Sequence, residues 1–223
     1  MECTVINLVA WEDNLTISPT SILPDAVILF KFVVSSLANS ADEGTGNPAI
    51  SMNLKTKTAG LKFLTEADFP DVLGLFQEPG TFDYIEHLKN KTDEAYVDIL
   101  MDRLEQNRMK TGFHWVARTL VDKKFIGVLN LSQIRGTDKM QLGFQLSKDY
   151  WNKGLGFELA KAIIEAGTAQ LGLKTIYGVF HKENIASKKI LQRLQFQPAE
   201  NFLHEDNIEI LQFNSQPRTD INT

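Results

Sequence analysis

Three strand-like runs follow one another between residues 112 and 146, and they constrain the fold more than any other feature of this sequence. The runs are GFHWVARTLV, KFIGVLNLSQI and KMQLGFQL, with short polar turns around Asp122–Lys124 and Arg135–Asp138. Parallel strands need a crossover of a dozen or more residues, so strands joined this closely pair antiparallel. The sequence therefore predicts an antiparallel meander of three strands.

The segments on either side of the meander predict a mixed fold. Before it we predict a weak strand over 53–64, a helix begun by Thr65 and Asp68 in a pattern near a capping box, a short helix over 82–88 and a longer helix over 92–106. After it we predict a helix over 154–171, a strand over 173–181, a helix over 184–194 and a closing hairpin from runs near 202–204 and 208–213. This order is neither a regular βαβ alternation nor an all-β pattern, so we predict an α+β fold with helices and strands mixed along the chain.

The first fifty residues differ in character from the rest. Their most apolar run, DAVILFKFVVSSLA at 25–38, is too short to span a bilayer and contains Lys31, so it predicts a buried strand or a short helix. Residues 39–51 are small, polar and rich in Gly, Pro, Asn and Ser, which is typical of a linker. We therefore divide the chain into an N-terminal extension over 1–51 and a domain over 52–223.

The composition narrows the class of function. The chain has 23 Lys and Arg against 28 Asp and Glu, and its net charge of −5 indicates no general affinity for nucleic acid or an anionic membrane. Cys3 is the only cysteine, so no intramolecular disulfide forms, which suits a reducing compartment. The N-terminus has neither the basic start nor the small-residue cleavage site of an export signal. We expect a cytoplasmic protein without nucleic-acid or membrane partners.

A glycine pair marks a candidate site at the end of the meander. In DYWNKGLGFELAKAII, residues 149–164, Gly154 and Gly156 stand at the start of an amphipathic helix. Unpaired N–H groups at a helix N-terminus bind phosphate, and glycine lets the phosphate approach the backbone. Such pairs are common, and on the two glycines alone a turn glycine followed by an N-cap glycine is the preferred explanation. The dinucleotide-binding fingerprint requires a third small residue at position 159, where this chain has Leu159. The phosphate loop of NTPases requires Lys-Ser or Lys-Thr after its last glycine, where this chain has Phe157 and Glu158.

The stretch QLGFQLSKDYWNKGLGFELAKAI resembles the cofactor-binding motif of the GNAT superfamily of N-acetyltransferases, most of all the branch of the ribosomal-protein N-terminal acetyltransferases. The matching residues are Gly143, Phe144, Trp151, Lys153, Gly154 and Gly156. HKENIASKKILQRLQF resembles a second family segment through Asn184, Ser187 and Phe196, with Gln195 in place of a glycine. TKTAGLKFLTEADFPDVLGLF resembles the first strand and helix, with Lys62 and Phe63 where an arginine is common. The resemblance spans about 52–213.

The resemblance implies a GNAT fold, with a mostly antiparallel sheet splayed at the cofactor site, and acetyl-CoA as co-substrate without a metal. The loop 151–157 would bind the pyrophosphate, and the pantetheine arm would lie between the strands at 141–147 and 173–181. A backbone N–H near Phe144–Leu146 would stabilise the tetrahedral oxyanion. The cofactor-binding residues implied are Phe144, Gln145, Leu146, Trp151, Asn152, Lys153, Gly154, Leu155, Gly156, Phe157, Asn184 and Ser187.

The resemblance leaves the catalytic groups open. The strand position where the family often has a carboxylate is Gln141, which cannot act as a base. The other candidates are His114, which we expect to face solvent, Glu86, Asp83, and a water held by Asn130 or Gln141. The family's tyrosine acid is replaced by Leu191, so Ser187 or water would protonate the thiolate. The predicted catalytic set is Ser187, His114 and Gln141.

Two functions follow from these residues. The first is an active N-acetyltransferase, a monomer or homodimer, whose acceptor is a primary amine on a protein N-terminus or a small molecule. The second is a degenerate acyl-CoA-binding sensor or scaffold, which Gln141 and Leu191 favour, whereas the intact loop and Asn184 favour the enzyme. We expect variable loops at 78–92, 133–139 and 197–207 to form the acceptor pocket.

Overall fold

The computed structural model describes residues 5–6, 53–199 and 207–215. These residues belong to one compact unit. Its strands are β1 Val5–Ile6, β2 Leu54–Lys55, β3 Ala59–Phe63, β4 Phe113–Thr119, β5 Phe125–Gln133, β6 Met140–Leu146, β7 Thr175–His181, β8 Gln197–Pro198 and β9 Ile208–Asn214. Its α-helices are α1 Phe69–Gln77, α2 Asp93–Met109, α3 Leu155–Ala169 and α4 Ile185–Arg193, with 3-10 turns at Glu66–Asp68, Glu86–Leu88 and Lys148–Tyr150.

The sheet has the order β2-β3-β4-β5-β6-β7-β9-β8. Every neighbouring pair is antiparallel except β6 and β7, which run parallel. The predicted meander is β4–β5–β6, and the mixed α+β class with a mostly antiparallel sheet is confirmed. The crossover that allows the one parallel pair runs through α3.

The sheet opens between β6 and β7, as the resemblance implied. The two strands pair only where Gln141 lies beside Tyr177. Further along β6, the edge that faces β7 is paired instead with β1, whose Ile6 and Val5 lie opposite Phe144 and Gln145.

The two faces of the sheet carry separate cores. One core packs α3 and α4 on the sheet, and Leu142, Phe144 and Leu146 of β6 point into it. The other packs α1 and α2 on Val116 and Val128. Successive residues of a strand point to opposite faces, so Gln141, Gly143 and Gln145 belong to the α1/α2 face. The register agrees, because Val128 lies directly opposite Gln145.

Several local predictions need correction. The strand predicted over 53–64 is the hairpin β2–β3, since Thr56 N–H donates to Ala59 O and reverses the chain. The helix predicted over 82–88 is only the 3-10 turn Glu86–Leu88. The strand predicted over 208–213 is β9, which pairs with β7 on one side and with the edge strand β8 on the other. The runs at 25–38 and 202–204 lie outside the described residues.

The capping box predicted at Thr65 is present. The Asp68 carboxylate accepts hydrogen bonds from the backbone N–H of Thr65 at 3.0 Å and from its hydroxyl at 2.8 Å. Asp68 also pairs with Arg118 of β4 at 2.8 Å, so the start of α1 is tied to the sheet. In the described ranges no helix is both long and apolar enough to cross a bilayer.

Candidate active site

The loop between β6 and α3 has the conformation of an anion site. Asn152 and Gly154 have left-handed backbones, with φ of 58° and 77°. Gly154 is the N-cap of α3, and a Cβ built on it would meet nothing within 4 Å, so conformation rather than space favours glycine there. Alternating left-handed residues turn successive N–H groups inward, and the start of α3 adds its own unpaired N–H groups.

Trp151 fixes this loop against the end of β6. Its indole Nε1 donates to the carbonyl oxygen of Leu146 at 2.7 Å. The ammonium of Lys148 lies 5.6 Å from the centre of the Trp151 ring, and that of Lys153 lies 5.8 Å from the Tyr150 ring. Trp151 therefore holds the loop in place, and the Lys153 side chain lies over the ring of Tyr150.

A cleft of about 330 Å³ lies between this loop, the start of α3 and α4. The predicted residues that line it are Leu146, Trp151, Asn152, Gly154, Gly156 and Phe157. Lys153 and Leu155 do not line it, and Leu155 packs in the core instead. The side of α4 contributes Lys189 and Arg193.

Sequence analysis missed this basic pair. Lys189 and Arg193 are four residues apart, so they share one face of α4, a spacing that was available in the sequence. The guanidinium of Arg193 lies 3.9 Å from the centre of the Phe157 ring, which brings the end of α4 beside the first turn of α3. Two cations and a set of inward N–H groups make the cleft suitable for a phosphorylated ligand.

Asn184 and Ser187 lie at the start of α4 and are fully buried. The side-chain oxygen of Asn184 accepts a hydrogen bond from the Ser187 N–H at 3.0 Å, so Asn184 caps the helix. Leu191 is fully buried as well, and a Cβ at Gly178 of β7 would lie 2.6 Å from its Cδ1. Asn184 thus positions the helix that presents the basic pair.

His114 does not face solvent as expected, because it is only 6% exposed. The amide nitrogen of Gln106 donates to Asp102 Oδ2 at 2.6 Å, so the Gln106 oxygen faces His114, 2.8 Å from Nε2. An amide oxygen only accepts, so the proton is on Nε2 and Nδ1 keeps its lone pair. Burial, and then the charge of Arg103, lower the pKa of His114 well below its usual value, so the ring is neutral.

The α1/α2 face also carries two unsatisfied carboxamides. Gln141 and Gln145 are each 1% exposed, and neither amide finds a hydrogen-bond partner among the described residues. Asn130, between the strands of His114 and Gly143, donates to Ser132 at 2.8 Å. The other base candidates, Asp83 and Glu86, are exposed. No three His, Cys, Asp or Glu side chains cluster as metal ligands in the part of the chain that the structure describes.

Comparison with known proteins places the chain in a family. The profile of the acetyltransferase (GNAT) domain matches residues 60–197, more than half of the chain. The chain therefore belongs to the GNAT acetyltransferase family and is an acyltransferase, which confirms the resemblance found in the sequence.

The relatives compared by sequence and by structure are distant. An uncharacterised N-acetyltransferase of Bacillus subtilis, YoaA, is 21% identical over 145 residues, or 65% of this chain and 82% of its own. The acetyltransferase of Agrobacterium tumefaciens superposes with a TM-score of 0.65 at 17% identity, covering 77% of this chain and all of that one. The ribosomal L7/L12 α-N-protein acetyltransferase RimL, in complex with coenzyme A, gives 0.61 at 12% identity over 71% of this chain and 95% of its own. At these identities the structures support the fold alone.

Proposed function

We propose that the protein transfers the acetyl group of acetyl-CoA directly to a primary amine, on a protein N-terminus or on a small molecule. One observation carries the proposal: a left-handed loop and a helix N-terminus adjoin a basic cleft at the point where β6 and β7 have parted. The single cysteine suits action in the cytoplasm. We expect a monomer or a homodimer, to be distinguished by gel filtration with light scattering.

The acetyl-CoA would run from the loop along β6. The N–H groups of residues 152–157 would hold its pyrophosphate, with Lys189 and Arg193 adding charge from α4. The arm would then run along β6 in the direction from Leu146 toward Gln141, with its thioester beside the backbone N–H groups near Phe144–Leu146. This path brings the thioester toward the point where β6 and β7 part.

The reaction is one displacement. The amine nitrogen attacks the thioester carbonyl, the N–C bond forms, the C–S bond breaks, and one proton passes overall from nitrogen to sulfur. Gln141 cannot take that proton, Leu191 cannot supply one, and the Ser187 side chain is fully buried at the start of α4. We therefore assign both proton transfers to water, with the oxyanion stabilised by a backbone N–H of β6 near Phe144–Leu146.

The alternative is a degenerate family member that binds acyl-CoA without turnover. The neutral amide at Gln141 and the apolar Leu191, packed on Gly178, favour it. It would use the same cleft, so cofactor binding alone does not separate the two functions.

The test combines binding with turnover. Calorimetry on the full chain measures the affinity for acetyl-CoA and for CoA, and a thiol reagent measures CoA release with a panel of peptides and small amines. Acetylated product, identified by mass spectrometry, supports the enzyme. Binding without amine-dependent release over the whole panel supports the sensor, and absence of binding contradicts both.

A further inference from the structure

The unsatisfied amides of Gln141 and Gln145 are the feature that the proposed cofactor path leaves unexplained. Each carboxamide offers two N–H donors and one oxygen acceptor, and all of these groups are buried without a partner among the described residues. Buried polar groups in folded proteins are almost always hydrogen-bonded, to protein, water or ligand. Two such side chains on one strand therefore indicate a place built for a polar ligand.

Their position relates this place to the transferred acetyl group. Gln141 lies where β6 last pairs with β7, and Gln145 lies four residues nearer the loop on the same face. Gly143 stands between them and carries no side chain. A group bound between the two amides would lie against the strand along which the acetyl-CoA arm is proposed to run.

The charges around this place disfavour a cation. Among the described residues no Asp or Glu is buried, whereas Arg103 is only 9% exposed. Burial lowers the pKa of Arg103 to about 10, which leaves it charged at neutral pH. The charge of Asp102 acts on Arg103, and its carboxylate also accepts a hydrogen bond from the Gln106 amide. An ammonium group that entered would lose its water and find no buried carboxylate among the described residues.

We infer that Gln141 and Gln145 bind the acceptor as a neutral amine, so that the enzyme selects weakly basic primary amines over alkylammonium groups. This inference rests on the proposed acetyl transfer. The Gln141 oxygen accepts an N–H of the amine and turns its lone pair toward the thioester, while Gln145 binds a neighbouring polar group of the acceptor. The favoured class is an amine with the basicity of a peptide N-terminus; a lysine side chain or a polyamine is disfavoured.

The favoured class of acceptor follows from the fraction of each free amine that is neutral. At pH 7 roughly one-tenth of an α-amine of pKa about 8 is neutral, against fewer than about one in a thousand lysine side chains of pKa about 10.4. A carboxylate at position 141 would bind the ammonium form and take its proton. An amide carries no charge to bind the ammonium form and cannot take its proton, so only the neutral fraction of the amine reacts.

The experiment uses two peptides of one sequence, each with a single free amine: one at the N-terminus with the lysine acetylated, the other at the lysine with the N-terminus acetylated. With saturating acetyl-CoA, kcat/KM is measured for the full chain across the neutral and alkaline range. We expect a preference of about 100-fold or more for the α-amine at neutral pH, falling as alkali deprotonates the lysine.

The variant Gln141→Glu should reduce that preference at least tenfold by raising activity on the lysine peptide. Gln141→Met should lower kcat/KM for both peptides without changing the affinity for acetyl-CoA. Gln170→Glu, which adds the same charge at an exposed position after α3, is the matched control and should change nothing. Gln145→Glu replaces Gln141→Glu if the latter does not fold by thermal melt.

The outcomes separate this inference from the proposed function. Turnover of both peptides with no preference at neutral pH, or with a preference that folded glutamate variants leave unchanged, overturns the inference while acetyl transfer stands. Binding of acetyl-CoA without transfer to either peptide or to any amine of the panel overturns both.

Discussion

Gly154 is the residue whose conformation matters most to the proposed phosphate site. Gly156 is buried in the first turn of α3, so Gly154 is the better position to test. A valine at φ of 77° is strained, and the loop must rearrange its N–H groups. Gly154→Val should raise the Kd for CoA at least about tenfold by calorimetry.

Gly172 provides the matched control. It is also left-handed, with φ of 67° and open space around it, but it lies beyond the end of α3. Gly172→Val should lower the melting temperature similarly and leave the affinity for CoA unchanged. Equal affinities in the two variants would show that the loop does not hold the pyrophosphate.

His114 should make stability depend on pH. Burial, and then Arg103, lower its pKa in the folded state, so the unfolded chain takes up its proton first. The free energy of unfolding should therefore fall as the pH drops below about 6.5, by at most about 1.4 kcal/mol per pH unit for this group. Urea titrations at several pH values between about 5 and 8 measure the slope.

His87 must be separated from His114 in that experiment. Its pKa is lowered too, by burial first and then by Lys91 and Arg103, so it contributes in the same direction. Titrations of His114→Gln and His87→Gln divide the slope between them. A slope that His114→Gln leaves intact would mean that His114 is not the buried neutral group described here.

Among the elements, α4 links stability to the proposed cofactor site. Asn184 caps α4, and α4 presents Lys189 and Arg193 to the cleft. Asn184→Ala should destabilise the protein by about 1 kcal/mol and raise the KM for acetyl-CoA, because the basic pair loses its fixed position.

The control for Asn184 is Thr92, which caps α2 by accepting from the Ala95 N–H at 3.3 Å. Thr92→Ala should destabilise the protein comparably, and the KM for acetyl-CoA should not change. An effect of Asn184→Ala on the KM of the amine alone would contradict the role given to α4.

The elements found from the sequence are those whose local signals agree with the final packing. The meander has short turns, and α3 has a single apolar face that meets the sheet. His114 was misjudged because both faces of β4 are covered, so alternation no longer distinguishes core from solvent. Gln195 replaces the glycine of the second family segment, and its φ of 66° shows that the left-handed turn forms without glycine. The unpaired amides depend on tertiary packing, which no local pattern shows.

At the scale of the whole molecule, β1 and the proposed acetyl-CoA arm need the same backbone. β1 pairs with β6 at Phe144 and Gln145, on the edge exposed where β7 has parted. A strand edge has one set of N–H and C=O groups, so it cannot bond both at once. The N-terminal extension over 1–51 should therefore compete with the co-substrate.

A chain that begins at Met52 tests this competition and the domain boundary together. We expect it to melt cooperatively and to bind acetyl-CoA more tightly than the full chain, because the β6 edge is free. The double variant Val5→Pro, Ile6→Pro keeps the extension but cannot donate the strand's hydrogen bonds, and it should show the same gain. Insolubility or loss of binding in the shortened chain would instead make the extension part of the domain. Unchanged affinity in both proteins would show that β1 does not hold the edge in solution.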